Sequence, residues 1–240
     1  MARSSSSTHR RLEALALVAA TVVGCASVPA TVVDPGQLDE GVARLNRPLP
    51  GDLAALYRMR VAKSGGLRLA VAATDEAGRL TISEPFGSAV SLTAWQAEAP
   101  TVFFDLREGC RREVRDLAEV LGVGALPLAE ATRLLGGRLP AVAGDLIEVG
   151  SDGEVVVTGL GWAAAVRLAA GPWRVVEVEE RTTDGERGWR IELDDHTSSV
   201  PGRIRIVHPD GRWAELDLAR LEWPNALELP DLPELPLCED

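Results

Sequence analysis

Residues 80–92 read LTISEPFGSAVSL, two short runs of alternating apolar and polar residues with Pro85, Phe86 and Gly87 between them. Alternation with a period of two is typical of a β-strand that buries one face. Pro85 restricts the backbone and Gly87 permits a tight bend, so the segment between the runs favours a turn. The stretch therefore predicts a strand, a protruding loop and a second strand antiparallel to the first.

The same period extends outward along most of the chain. Alternating runs occur at 56–62, 67–73, 79–83, 89–95, 101–107, 154–159, 164–168, 173–181, 188–193, 203–208 and 213–221. Two segments show helical spacing instead, 113–121 and 128–135. About eleven strands interrupted once by a pair of helices predict an α+β chain built on a large antiparallel sheet.

A sheet of this width tends to curl, and one of its faces must be buried. In the predicted strands every second residue is apolar, as in Leu67, Leu69 and Val71, while the positions between them carry residues such as Arg68 and Thr81. The two predicted helices are the only segments that we can assign as a cover for the apolar face. We therefore expect a helical lid on a curved sheet.

The N-terminus has the features of an export signal. Arginines at positions 3, 10 and 11 precede a mostly apolar stretch, 14–23, which is too short to span a bilayer as a helix. The junction Val22-Val23-Gly24-Cys25 is similar to a bacterial lipobox, which implies a diacylglycerol on the Cys25 sulfur and cleavage before it. The alternative is an ordinary secretory peptide with an incidental Cys25.

These features divide the chain into four segments. Residues 1–24 are the predicted signal peptide, and 25–50 are the lipid anchor and a flexible spacer rich in Pro, Gly and small residues. Residues 51–223 form the predicted folded domain, and 224–240 are a Pro-rich C-terminal tail. The domain is of a size that all-β folds reach undivided.

The formal net charge of −11 at pH 7 argues against nucleic acid as a partner, because polyanions are bound by basic surfaces. It also argues against electrostatic adhesion to anionic lipid, so we expect acyl chains to provide membrane attachment. Cys110 and Cys238 are the other two cysteines of the chain. In an exported protein they form either a disulfide that fastens the tail to the body or two free thiols.

Residues 80–140 resemble the outer-membrane lipoprotein receptor LolB, which shares a fold with the periplasmic carrier LolA. The resemblance rests on the strand, loop and strand at 80–92, on 102–109 and 112–122 as strand and helix, and on 126–128 and 134–140 as a turn and a helix exit. It implies an unclosed, strongly curved antiparallel β-barrel with a short helical lid. It also implies an apolar interior that accepts the acyl chains of lipoproteins in transit.

The resemblance places Phe86 where the family presents an apolar side chain at a loop tip that contacts the membrane. The alternative is that Phe86 folds inward as part of the core. The expected acyl-chain cavity is lined by Val71, Ile82, Leu92, Val102, Phe104 and Leu106 from strands and by Leu117, Leu121 and Leu134 from the lid. For each of these nine residues, plain core packing is the alternative interpretation.

The sequence contains little that indicates catalytic activity. Its three histidines do not form a metal-ligand pattern, and neither a Gly-x-Ser-x-Gly motif nor a phosphate-binding glycine loop occurs. We expect no catalytic residue, no metal and no cofactor.

Three functions remain open for such a chain. The first is a monomeric outer-membrane receptor of LolB type, facing the periplasm, which takes acylated lipoproteins from a LolA-like carrier and inserts them into the outer membrane. The second is a lipid- or glycolipid-binding lipoprotein with another cargo on the same fold. The third is an envelope scaffold whose interior is filled by its own side chains. An open apolar cavity would favour the first two.

Overall fold

The computed structural model describes residues 35–61, 66–97, 99–121, 126–150, 154–182 and 188–239, without the side chains of 35, 117 and 118. Three helices are present in this part of the chain: α1 (Pro35–Leu45), α2 (Leu117–Leu121) and α3 (Leu128–Leu135). The first six strands are β1 (Leu53–Val61), β2 (Leu67–Ala73), β3 (Ala77–Ser83), β4 (Ala89–Gln96), β5 (Ala99–Asp105) and β6 (Cys110–Val114). The other seven are β7 (Leu146–Val149), β8 (Val155–Gly159), β9 (Trp162–Ala169), β10 (Arg174–Glu180), β11 (Arg190–Asp194), β12 (Arg203–Val207) and β13 (Trp213–Glu222).

All thirteen strands belong to one sheet, in the order β6-β5-β4-β3-β2-β1-β13-β12-β11-β10-β9-β8-β7. Each pair of neighbours is antiparallel, so the chain forms two meanders that meet where β1 pairs with β13. Strands β6 and β7 are the two ends of this order, and the sheet is curled but unclosed. The predicted mostly antiparallel architecture with few helices is confirmed.

Two strands were not predicted, and they account for the difference between about eleven and thirteen. β7 is short and lies at the end of the sheet. β6 covers Cys110–Val114, where we expected the start of a helix over 113–121, and it pairs with β5 through Phe103 and Arg112. The helix is therefore only Leu117–Leu121, whereas α3 covers the predicted residues 128–135.

One face of the sheet, here called the inner face, packs against the helices and carries the main hydrophobic core. The core includes Tyr57, Leu69, Leu80, Val166, Ile191, Ile204 and Leu216 from the sheet, Trp189 just before β11, and Leu128, Ala131, Leu134 and Leu135 from α3. Most strands contribute alternate residues, as expected for a period of two, whereas β5 and β6 contribute none. The lid and the sheet thus share a single apolar core.

Helix α1 belongs to this core, although we predicted a spacer over 25–50. Leu38 and Leu45 are fully buried in the main cluster. Gly41 lies so close to the indole of Trp173 that a Cβ at this position would be 2.5 Å from the ring. The folded part of the chain therefore includes the region from Pro35 onward, because the apolar stripe of α1 covers the part of the inner face formed by the last meander.

A second, smaller apolar cluster lies on the opposite, outer face of the first meander. Leu92, Ala94 and Phe104 are its buried members, and Val102, Leu106 and Leu235 pack against them. Leu235 comes from the Pro-rich tail, which runs beside β6: the amide of Arg111 donates to the Pro236 carbonyl and the amide of Cys238 donates to the Arg111 carbonyl. The tail is thus a strap that covers this outer cluster.

Candidate functional site

An apolar cavity of about 30 Å³ lies between α3 and the inner face of the sheet. Its wall is formed by Leu69, Leu80, Leu121, Leu126, Ala131, Thr132, Leu134, Leu135, Ile191, Ile204, Ile206 and Leu216. Thr132 is the one residue of this wall with a polar side chain, and its hydroxyl donates to the Leu128 carbonyl at 2.8 Å. The cavity therefore offers hydrocarbon surface and almost no hydrogen-bonding capacity.

The cavity is small, with room for only about two water molecules. An acyl chain of many methylene groups does not fit into it. A ligand of this kind enters only if the helices move away from the sheet. The structure thus represents a closed lid over an apolar interior.

The nine predicted lining residues fall into four groups. Leu121 and Leu134 lie in the cavity wall, and Val71 and Ile82 are buried on the same inner face without lining the cavity. The prediction is wrong for the other four strand residues that the structure describes, which belong to the outer cluster: Leu92, Val102, Phe104 and Leu106. The side chain of Leu117 lies outside the described residues.

The physical reason for this error lies in strand β4. Ser91, Thr93 and Trp95 face the core, opposite Ile82, Leu80 and Gly78 of β3. The apolar residues between them face outward, where the C-terminal strap removes them from water. Polarity alone therefore predicts the wrong face for β4.

Four of the ten wall residues that were not predicted come from the last strands of the chain, and the other six come from β2, β3, α3 and the segment just before α3. Ile191, Ile204, Ile206 and Leu216 all face the cavity. Their signal was present in the sequence, because Ile204 and Ile206 alternate with Arg203 and Arg205. The pairing of β13 with β1 could not be predicted from the sequence. This pairing brings the second meander, β7 to β13, beneath the same lid.

The interior carries buried polar atoms that have no hydrogen-bond partner among the described residues. They are Tyr57 Oη, Thr93 Oγ1, Trp95 Nε1, Trp189 Nε1 and the Nε of Arg79. Tyr57 and Trp189 are among the largest fully buried side chains of the protein, and burial raises the pKa of the Tyr57 hydroxyl. Each unsatisfied buried group costs about 1–3 kcal/mol, which raises the free energy of the closed state.

Arg133 of α3 fastens the lid to the segment that follows α1. Its guanidinium donates to the carbonyls of Asn46, Arg47 and Leu139, each at 3.3 Å. Burial lowers the pKa of Arg133. A pocket of about 210 Å³ with both polar and apolar walls adjoins this contact and is lined by Pro48, Leu49, Thr74, Asp75, Trp95, Ala129, Thr132, Arg133, Val142 and Ala143.

Glu130, also on α3, is a carboxyl group with only 6% of its surface exposed. Burial raises its pKa from the ordinary value of 4.5 to about 7, and the nearby charge of Asp145 acts in the same direction. The lid therefore contains an acid whose ionised form is disfavoured in the closed structure.

Phe86 stands at the tip of the loop between β3 and β4 and is 99% exposed. The loop is held by hydrogen bonds from the Gly87 amide to the Glu84 carbonyl and from the Glu84 amide to the Ser88 carbonyl, both at 2.9 Å. Gly87 has φ +98°, a conformation that favours glycine. The ring therefore points into solvent from a well-defined turn and does not pack in the core.

Cys110 and Cys238 form a disulfide, with their Cα atoms 4.9 Å apart. The bond closes the strap at the start of β6, next to the pairing of Arg111 with Leu237. Cys25, the predicted lipidation site, lies outside the described residues.

No grouping of three or more His, Cys, Asp or Glu side chains suited to a metal ion occurs in the described part of the chain. His196 Nε2 lies 2.8 Å from the Val175 carbonyl, and burial lowers the pKa of its imidazole. Within the same residues, no helix has the length and apolar character needed to cross a membrane.

Comparison with known proteins gives a fold and no closer relationship. No protein-family model matches the sequence, and no curated protein matches it. Among solved structures, a LolA superfamily protein from Nitrosomonas europaea is similar, with 14% identity, a TM-score of 0.53 and coverage of 84% of this chain and 96% of that one. A DUF1329 family protein from Desulfovibrio piger has 8% identity, a TM-score of 0.54 and coverage of 82% and 96%. The chain thus has the fold of LolA superfamily structures.

Proposed function

We propose that this protein is a lipid-anchored receptor of LolB type, which takes acylated lipoproteins from a LolA-like periplasmic carrier and inserts them into the outer membrane. In this proposal the protein is monomeric, attached through Cys25 and faces the periplasm. The acyl chains of the cargo lie between the inner face and the lid. Such transfer breaks no covalent bond, so it needs no catalytic residue, metal or cofactor.

The observation that carries the proposal is the apolar cavity beneath α3, together with the unsatisfied polar atoms of Tyr57 and Trp189 in the same core. A core selected only for stability rarely leaves large polar side chains buried without partners. An interior that opens in its working cycle tolerates them, because solvent satisfies these groups when the lid is displaced. This supports a lid that moves.

The energetics of acyl binding are consistent with such a movement. Each methylene group removed from water contributes about 0.8 kcal/mol, so partial burial of one or two acyl chains outweighs the loss of a few lid contacts. The polar contacts of Arg133 with the segments that follow α1 and α3 are long, at 3.3 Å. The lid is thus held to the sheet mainly by apolar side chains, which a hydrocarbon ligand replaces with contacts of the same kind.

Phe86 provides a means of delivery. The apolar surface of a fully exposed aromatic ring on such a turn is removed from water only when a partner or a bilayer covers it. We assign the bilayer as that cover, so that Phe86 brings the opened cavity to the membrane surface. Release of the cargo is then coupled to membrane contact.

The near-filled interior supports a different candidate, the envelope scaffold, because a cavity of about 30 Å³ holds no lipid in the closed state. A lipid-binding lipoprotein with another cargo has the same cavity as the receptor. Binding of an acylated probe separates the scaffold from both other candidates. Transfer of an acylated lipoprotein to vesicles then separates those two.

The test uses two substitutions on one helix. Ala131 lines the apolar cavity, whereas Ala129 lines the pocket of mixed polarity on the other side of α3. Ala131→Leu fills the space that an acyl chain would occupy, and we expect it to weaken binding of a fluorescent palmitoyl lipopeptide about tenfold. Ala129→Leu adds the same bulk and should leave binding within twofold of the unmodified protein. No binding by the unmodified protein would contradict the proposal.

A further inference from the structure

We propose that Leu160, at the turn between β8 and β9, is a second membrane-contacting tip that works together with Phe86; the inference rests on the proposed function. Leu160 is 102% exposed, so its whole side chain projects from the protein. The turn is tight, because Gly159 pairs with Trp162 and leaves only two residues between them. Gly161 has φ +79°, as such a turn requires.

The two tips lie at the same end of the sheet. In the strand order, β3 and β8 are separated by an odd number of antiparallel strands, so they run in the same direction. The turns that follow them, with Phe86 and Leu160, therefore project from the same edge. The protein presents two exposed apolar side chains along one rim.

Leu160 has no local structural reason to be apolar. Tight turns favour Gly, Asn, Asp and Ser, whose backbone preferences or side-chain hydrogen bonds support the bend. The indole of Trp162 already packs across Gly159, where a Cβ would clash with its Nε1, so the turn is fixed without Leu160. A large apolar residue at such a position is explained by something that lies outside the folded chain.

Leu146 adds apolar surface next to this tip. It begins β7, pairs with Thr158 near the end of β8 and is 55% exposed. In the described part of the chain the exposed large hydrophobic residues are Phe86, Leu146, Leu160, Leu232 and Leu237. Three of these five lie at the same end of the sheet, which is where a single flat partner would meet them.

The partner that fits this rim is the hydrocarbon region of a phospholipid bilayer. Single side chains on convex turns suit a deformable medium, and the net charge of −11 makes electrostatic attraction to anionic lipid unfavourable. The segment between a lipidated Cys25 and the folded body limits the distance between that body and the membrane. About ten residues separate Cys25 from Pro35, and a fully extended chain of that length spans at most about 35 Å. A lipidated Cys25 thus keeps the body close enough for the rim to reach the bilayer.

The experiment uses the full lipidated chain in vesicles of phosphatidylethanolamine with a minor share of phosphatidylglycerol. Three variants, Phe86→Cys, Leu160→Cys and Ala97→Cys, are each labelled with the fluorophore NBD. Ala97 is an exposed residue of the turn between β4 and β5, at the opposite end of the sheet. We expect a blue shift and brighter emission at 86 and 160 on vesicle binding, and neither change at 97.

A label at 160 that keeps its aqueous spectrum while the label at 86 shifts would overturn the inference and leave the proposed function intact. Shifts at all three positions would also overturn it, because they would indicate unspecific adhesion. Binding of the palmitoyl lipopeptide, measured on the same variants without vesicles, reports on the proposed function separately. Leu160→Glu should slow delivery to vesicles severalfold and leave that binding unchanged.

Discussion

The guanidinium of Arg133, on the lid helix α3, donates to the main-chain carbonyl of Asn46, which follows helix α1, at 3.3 Å. Arg133 also bonds the carbonyls of Arg47 and Leu139, so one side chain connects α3, its exit and the exit of α1. These bonds add a polar contribution to the apolar packing that keeps the lid closed. Their removal should favour the open form.

We therefore expect Arg133→Gln to raise the affinity for an acylated probe about tenfold. Loss of one to two charged hydrogen bonds is worth about 1.4 kcal/mol or more, and a larger open fraction increases the apparent affinity in proportion. Equilibrium titration with the fluorescent palmitoyl lipopeptide measures it. Arg44→Gln is the control, since Arg44 makes an exposed pair with Glu40 within α1. An affinity that falls or stays the same in Arg133→Gln would show that this contact does not hold the lid.

Glu130 makes stability depend on pH. Its pKa is raised from 4.5 to about 7 in the folded state, so the folded protein binds this proton more tightly than the unfolded chain does. The stabilisation is complete below about pH 4.5 and is lost as the pH rises through about 7. Glu130→Gln should remove this dependence and raise the free energy of unfolding at slightly alkaline pH by about 2–3 kcal/mol.

Urea denaturation at a series of pH values measures this effect. Asp145, whose pKa is also raised by burial, contributes its own change at lower pH and remains in both proteins. A Glu130→Gln variant with the same pH profile as the unmodified protein would disprove the assignment.

The strap over the outer cluster depends on the disulfide. Its loop spans 128 residues, and removal of a bond that closes a long loop typically costs about 2–5 kcal/mol. The double variant Cys110→Ser/Cys238→Ser should therefore unfold at lower denaturant concentration. It should also bind an apolar dye, because Leu92 and Phe104 lose the cover provided by Leu235. Leu235→Ala, with the disulfide intact, separates the two contributions: we expect dye binding with a smaller loss of stability.

Phe86→Glu should abolish delivery of cargo to vesicles and leave binding of the palmitoyl lipopeptide unchanged. The carboxylate does not enter the hydrocarbon region, whereas the cavity lies between α3 and the sheet and does not include this loop. Leu237→Glu is the matched control, since it places the same charge at an exposed apolar residue of the strap. Normal transfer by Phe86→Glu would show that this loop is not needed for delivery.

The sequence was informative where local spacing determines structure. Helix α3 covers the predicted residues because its apolar residues have helical spacing and form one stripe: Leu128, Ala131, Leu134 and Leu135. Just beyond its end, Gly137 has φ +73°, a conformation that favours glycine. The spacing of Val114 and Leu121 also predicts a helix, yet Val114 ends β6. Pairing with β5, a tertiary interaction, overrides that local pattern.

The faces of β4 and β5 required information from distant residues. Leu92 and Phe104 are buried, as their apolar side chains suggest, but by Leu235 of the strap and not by the lid. The C-terminal strap, more than a hundred residues from β4 and β5 in the sequence, thus determines that the outer side of these strands is buried. The prediction of a spacer over 25–50 fails for α1 for the same reason: Leu38 and Leu45 are buried in a core whose other residues are distant in the sequence.

Photo-crosslinking locates the acyl chains of bound cargo. A lipopeptide with a diazirine at the end of its palmitoyl chain is bound to the full-length protein and irradiated, and the adducts are mapped by mass spectrometry. If acyl chains bind beneath the lid, adducts form on the cavity wall, at residues such as Leu69, Leu80 and Ile204 of the sheet and Leu134 of α3. Adducts confined to the outer surface, or none above the level seen with Ala131→Leu, would contradict binding beneath the lid.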